Sequence, residues 1–185
     1  MRGWAALLLA LLSGAAAAHP VDEMVQGAYL TLAPGAVQLE LDLTPGSLVA
    51  GTVLKSIDTN ADQQLSVTEA KAFAQAVLKQ SALTVGGMAV PWTLDQVVMP
   101  PYQNLVTGND EIKIYALARR PDRAGAGVLT YQNRYAPVKS QWMANIFLLP
   151  GAGWQYAVTG QQHSNDGRGL TVQYQASHPA SASAP

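Results

Sequence analysis

From Val37 to Leu43 the chain alternates apolar and polar residues at every step (Val-Gln-Leu-Glu-Leu-Asp-Leu). This places Val37, Leu39, Leu41 and Leu43 on one face of a half-buried strand. The turn-rich Ala33-Pro34-Gly35-Ala36 precedes it, and Tyr29–Leu32 forms the other arm of an alternating hairpin. At Thr44-Pro45-Gly46 the period changes. Thr44 is placed to cap a helix with Pro45 at its first position, and Leu48, Val49, Thr52, Val53 and Ile57 then recur at helical spacing. A second helix is predicted from Ser66 to Gln80, where Ala70, Phe73, Ala74, Val77 and Leu78 make one apolar face. Ser66 and Glu69 stand at capping-box spacing at its start. From Leu83 onward strands return. Leu83–Val85, Gly86-Gly87 and Met88–Val90 predict a hairpin with a two-residue turn. Ile112–Ala118, Val128–Tyr135, Asn145–Leu149, Trp154–Val158 and Leu170–Gln175 follow, separated by pieces rich in Gly, Pro and Asn. The pattern predicts an α+β domain over residues 19–175: an antiparallel β-sandwich with a helix–loop–helix inserted at 46–81, after the second strand. Residues 176–185 mix Ser, Ala, Pro and His without a period and are expected to form a disordered tail.

The first residues follow a different logic. One cation, Arg2, precedes an apolar run from Trp4 to Leu12 and a small-residue stretch from Ser13 to Ala18. That order predicts a cleavable signal peptide over residues 1–18, with His19 as the new N-terminus. The apolar run falls short of the roughly 20 residues a spanning helix needs. The expected location is periplasmic or secreted, in a bacterium. The chain has no cysteine, which excludes a disulfide framework and thiolate chemistry. With 11 basic and 12 acidic residues the formal net charge is −1, and loss of Arg2 lowers it by one more. Such balance excludes nucleic acid as the expected partner.

The predicted helices are joined by Asp58-Thr59-Asn60-Ala61-Asp62-Gln63-Gln64-Leu65-Ser66-Val67-Thr68-Glu69. Short oxygen donors stand at alternate positions, as Asp58, Asn60 and Asp62, and a longer carboxylate closes the run at Glu69. Hard divalent cations take six to eight such oxygens. In order and spacing the segment resembles the calcium loop of EF-hand proteins. The resemblance implies Ca2+ as cofactor, held by Asp58, Asn60, Asp62, the carbonyl of Gln64, Ser66 and Glu69, with Leu65 pointing into the core. Gln63 departs from the pattern, because glycine is usual where the loop turns with positive φ. The expected affinity is therefore weak, with Kd roughly 10⁻⁵ to 10⁻³ M, and the ion structural or modulating a partner interaction. More loosely, His19-Pro20, the hairpin, the D-x-N-x-D-x-x-L-S-x-x-E helix pair and the later strands resemble the exported N-terminal domains of bacterial nickel/cobalt and hydrogenase- or urease-accessory-type permeases. That resemblance implies association with a membrane protein partner. It also frames the alternative function, an accessory protein for nickel, cobalt or copper transport that uses His19.

Other constellations carry less. The run His163-Ser164-Asn165-Asp166-Gly167-Arg168-Gly169 reads as a hairpin tip, and catalytic triads are assembled from separate elements. Trp92, Trp142 and Trp154, with Tyr102, Tyr115, Tyr131, Tyr135 and Tyr156, read as core and rim aromatics. The chain contains none of the nucleotide, hydrolase or zinc-protease motifs. The sequence therefore predicts a binding protein and not an enzyme.

Overall fold

The computed structural model describes residues 21–179; the signal segment, His19 and residues 180–185 lie outside the described residues. Strands β1 (Met24–Ala33) and β2 (Ala36–Pro45) form the first hairpin, in register from Met24 opposite Pro45 to Ala33 opposite Ala36. Val37, Leu39, Leu41 and Leu43 are each 2% exposed or less, so the predicted apolar face is the buried one.

The start of the first helix differs from expectation. Thr44 and Pro45 belong to β2, where they pair with Val25 and Met24, and helix α1 (Ser47–Lys55) begins after Gly46 with no side-chain cap. The ladder is reinforced beyond its end, because Gly46 N–H donates to Glu23 O and Leu48 N–H to Val21 O. Strand pairing thus takes the residues that capping would have used. The helix is also rotated from the predicted face. It buries Ala50, Val53 and Leu54, with Ile57 just beyond, whereas Leu48 is 75% exposed. Helix α2 (Val67–Leu78) follows expectation and buries Ala70, Phe73, Ala74, Val77 and Leu78.

Strands β3 (Ser81–Val85) and β4 (Met88–Ala89) make the second hairpin. Its turn residues Gly86 and Gly87 have φ of 59° and 79°, the left-handed pair a two-residue hairpin turn needs. Strand β5 (Thr93–Val98) and the short helix α3 (Tyr102–Val106) were not foreseen. β5 lies at a sheet edge with no fully buried residue, so it lacks the alternation that marks a strand. Strands β6 (Ile112–Arg119), β7 (Gly125–Asn133), β8 (Ser140–Leu148), β9 (Gln155–His163) and β10 (Gly169–Ser177) complete the chain.

The strands form two five-stranded sheets, ordered β5-β6-β2-β1-β8 and β4-β3-β7-β10-β9. Both contribute to one apolar core, as Leu39, Leu41 and Ile114 from the first meet Leu129, Tyr131 and Val172 from the second. The first sheet is mixed, which corrects the expectation of a purely antiparallel sandwich: β8 runs parallel to β1 from Met24 opposite Ser140 to Leu32 opposite Leu148. Alternation sets which face of a strand is buried but carries no information on its neighbour's direction. Ala176 and Ser177, expected to begin the tail, instead belong to β10. Ala176 is 2% exposed and paired with both Gly125 and Tyr156, and the His178 ring lies 5.0 Å from that of Trp154.

The helical segment sits against this core. Val53, Leu54 and Ile57 enter it beside Phe73, Ala74, Val77 and Leu78. Phe73 meets Tyr135 edge-on, with centroids 6.0 Å apart. Both ends of the polar loop are therefore fixed by buried side chains. Among the described residues no helix is long and apolar enough to cross a membrane.

Candidate functional site

The loop begins where α1 unwinds, with Asp58 N–H still bonded to Leu54 O at 2.8 Å. That bond holds Asp58 near the core, and the residue is 8% exposed. Its carboxylate organises the turn that follows. Oδ1 accepts from Asp62 N–H at 3.1 Å and Oδ2 from Gln63 N–H at 3.0 Å. Asn60 Oδ1 also accepts from Asp62 N–H, and its amide donates to Asp62 Oδ2 at 2.9 Å. Asp62 Oδ1 in turn accepts from Gln64 N–H at 2.8 Å. Asp58, Asn60 and Asp62 are thus drawn together by the backbone they bend.

The bend requires left-handed backbone at two residues that are not glycine. Gln63 has φ of 61°, as the sequence predicts, and Ala61 has φ of 58°, which it does not. A side-chain Cβ costs roughly 1–2 kcal/mol in that region, and here Asp58 and Asn60 supply the opposing hydrogen bonds.

The far end is held by Ser66 and Glu69. Ser66 Oγ accepts from Glu69 N–H at 3.3 Å, and Glu69 Oε2 accepts from Ser66 N–H at 3.1 Å, which completes the capping box. Ser66 Oγ and Glu69 Oε2 are 2.7 Å apart as well. Oε1 reaches across to the other end of the loop, where it accepts from Thr59 N–H at 2.9 Å and Thr59 Oγ1–H at 3.2 Å. The bonds from Ser66, then those from Thr59, hold the Glu69 carboxyl down at about 2 from its ordinary 4.5. Thr59 is the participant that sequence reading passed over, since nothing in the pattern separates it from a spacer. Leu65 packs against the core as expected.

The structure therefore gathers the predicted residues in two groups: Asp58, Asn60 and Asp62 at one end, with Gln64 N–H attached, and Ser66, Glu69 and Thr59 at the other. Among the described residues no three His, Cys, Asp or Glu side chains stand together in a metal-holding arrangement. Glu69 is directed to Thr59 and Ser66 and not to the two aspartates. Elsewhere, His163 faces Ala144 O at 2.9 Å while Ser164 donates to Asp166 at 2.6 Å, within the turn between β9 and β10. Tyr131 and Tyr135 are buried core aromatics. Comparison of the chain with protein-family models, with curated proteins and with solved structures gave no match.

Proposed function

We propose that the Asp58–Glu69 loop binds Ca2+ and that this chain is an exported, non-enzymatic calcium-binding protein. Asp58 is the observation that carries the reading. It is a carboxylate 8% exposed, met by two neutral N–H groups, and among the described residues it makes no ion pair. A buried charge is ordinarily paired or bound to a metal. It also follows the C-terminal end of α1, where the helix dipole disfavours an anion and favours a cation.

The donor chemistry suits a hard divalent ion. Asp58 and Asp62 can keep their backbone bonds while offering remaining lone pairs, since a carboxylate has about four acceptor sites. Asn60 Oδ1, Gln64 O and Ser66 Oγ are further oxygens of the kind calcium takes. Glu69 is the exception. Both its oxygens already accept from Ser66 and Thr59, so it must exchange some of these bonds for the ion. That exchange supports an affinity toward the weak end of the calcium-loop range, with Kd roughly 10⁻⁵ to 10⁻³ M. Export rests on the residues 1–18 pattern, and N-terminal sequencing of the native protein should begin at His19.

Isothermal titration with calcium tests the site, comparing the parent with Asp58→Asn and Asp62→Asn. Each change removes a charge and keeps one acceptor oxygen, with the new amide facing the second donor, so the calcium-free melting temperature of each variant is measured beside its affinity. Each should weaken binding by roughly tenfold or more, about 1.4 kcal/mol. Equal affinity in all three proteins would place any bound calcium elsewhere.

A further inference from the structure

We infer that the cavity between the β3–β4 hairpin, the β6–β7 connection and Tyr174 binds a small carboxylate carrying an apolar chain. The cavity measures about 400 Å3, inside the roughly 300–1,000 Å3 usual for small-molecule sites. It shares no residue with the Asp58–Glu69 loop.

Its walls combine two chemistries. Val85, Met88, Val90 and Pro91 form an apolar side, and Met88 is 60% exposed. Arg119 and Arg123 stand on the other side; both are exposed, and among the described residues neither makes an ion pair. Among the described residues no acidic side chain lines the cavity. Two unneutralised guanidinium groups thus face it in a chain whose formal net charge is −1.

The segment bearing these arginines is fixed in place. Arg120 between them is 8% exposed, and its Nη1 pairs with Asp122 Oδ1 at 3.0 Å and donates to Pro121 O at 3.2 Å. Asp122 also accepts from Gly35 N–H at 2.6 Å and from the Tyr156 hydroxyl at 3.0 Å. The charge of Asp122 is therefore taken up by Arg120, and the backbone beneath Arg119 and Arg123 is tied to the β1–β2 turn. Tyr174 gives the cavity a flat surface. It pairs with Gly127 across the β7–β10 ladder, and a Cβ on Gly127 would stand only 2.4 Å from the tyrosine ring. Glycine at this position lets the ring lie over the neighbouring strand.

A carboxylate with an apolar chain satisfies both walls at once. The guanidinium fork matches carboxylate geometry and binds it through charge-assisted hydrogen bonds, while the chain covers Met88 and its neighbours. A neutral apolar ligand would leave the two guanidinium groups without a counter-charge, and a simple inorganic anion would leave the apolar wall wet.

The test is an NMR titration of the full protein with decanoate below its micellar concentration, alongside decanol, decyltrimethylammonium and acetate. Decanoate should shift the amides of Gly86, Gly87, Ala126 and Gly127 saturably, and the other three probes should bind at least roughly tenfold more weakly. The Arg119→Gln/Arg123→Gln double variant should lose about tenfold or more in decanoate affinity with its melting temperature unchanged. Absence of saturable shifts, equal binding of decanol or the cation, or full affinity in the double variant would each overturn the proposal.

Discussion

At the scale of single residues, two side chains decide how the loop behaves. Gln63 carries its positive φ of 61° as part of the hydrogen-bonded turn around Asp58, so the strain belongs to the fold itself. Gln63→Gly should relieve it. The gain of roughly 1–2 kcal/mol is offset by the greater freedom of glycine in the unfolded chain. A net stabilisation of about 0.5–1 kcal/mol, or about 2 °C in melting temperature, is expected, and a lower melting temperature would show that the Gln63 side chain contributes contacts of its own. Glu69 has a different signature, in pH. Its folded-state pKa, about 2, lies below the ordinary 4.5 because Ser66 and then Thr59 donate to the ionised form. A depressed carboxyl pKa stabilises the fold above the unfolded value, and the contribution fades as pH falls from about 4.5 toward 2. Glu69→Gln keeps one acceptor oxygen and turns an amide toward the other donor pair, so it should melt a few degrees lower at neutral pH. The gap between the two proteins should close as pH is lowered through that window; a constant gap would mean that charge is not what Thr59 and Ser66 recognise. The loop lies near solvent, so screening keeps this effect modest.

At the scale of elements, the same local rules read one helix correctly and misplace the other. Helix α2 was legible because its apolar residues at Ala70, Phe73, Ala74, Val77 and Leu78 and its Ser66/Glu69 cap all point to one answer. Helix α1 was not, because Thr44 and Pro45 satisfy both a helix start and a strand end, and pairing with β1 decides between them. The consequence is measurable. Leu54→Ala should cost about 2–5 kcal/mol as a buried truncation, whereas Leu48→Ala should stay within about 0.5 kcal/mol, the reverse of what the predicted face implies. A larger loss from Leu48→Ala than from Leu54→Ala would restore the predicted face. Ser66→Ala removes the α2 cap and should cost about 1 kcal/mol by chemical denaturation. In the loop, Asp58, Asn60, Asp62, Ser66 and Glu69 were all visible from spacing, and so was the turn at Gln63. The reach of Glu69 to Thr59 was not, since a hydrogen bond between loop ends depends on how the two helices seat in the core. For the same reason the parallel β1–β8 pair and the edge strand β5 left no mark in the alternation.

At the scale of the whole molecule, the two sheets bury one core, and α1 and α2 bring their apolar faces to it from the end of β2. The polar loop between them is therefore part of the folding unit and not an appendage. Any ion that binds the native loop and not the unfolded chain must raise the stability of the domain as a whole, by RT ln(1 + [L]/Kd). At about 10 mM calcium and a Kd of roughly 10⁻³ M, the weak end of the range, this amounts to about 1.4 kcal/mol, or about 3–6 °C for a chain of this size, and to more if binding is tighter. The most direct test of the account is thermal unfolding of the protein in about 10 mM calcium against the same protein in excess chelator. The account predicts a melting temperature higher by at least about 3–6 °C with calcium, and a smaller shift in Asp58→Asn; coincident unfolding curves for the parent protein would contradict it.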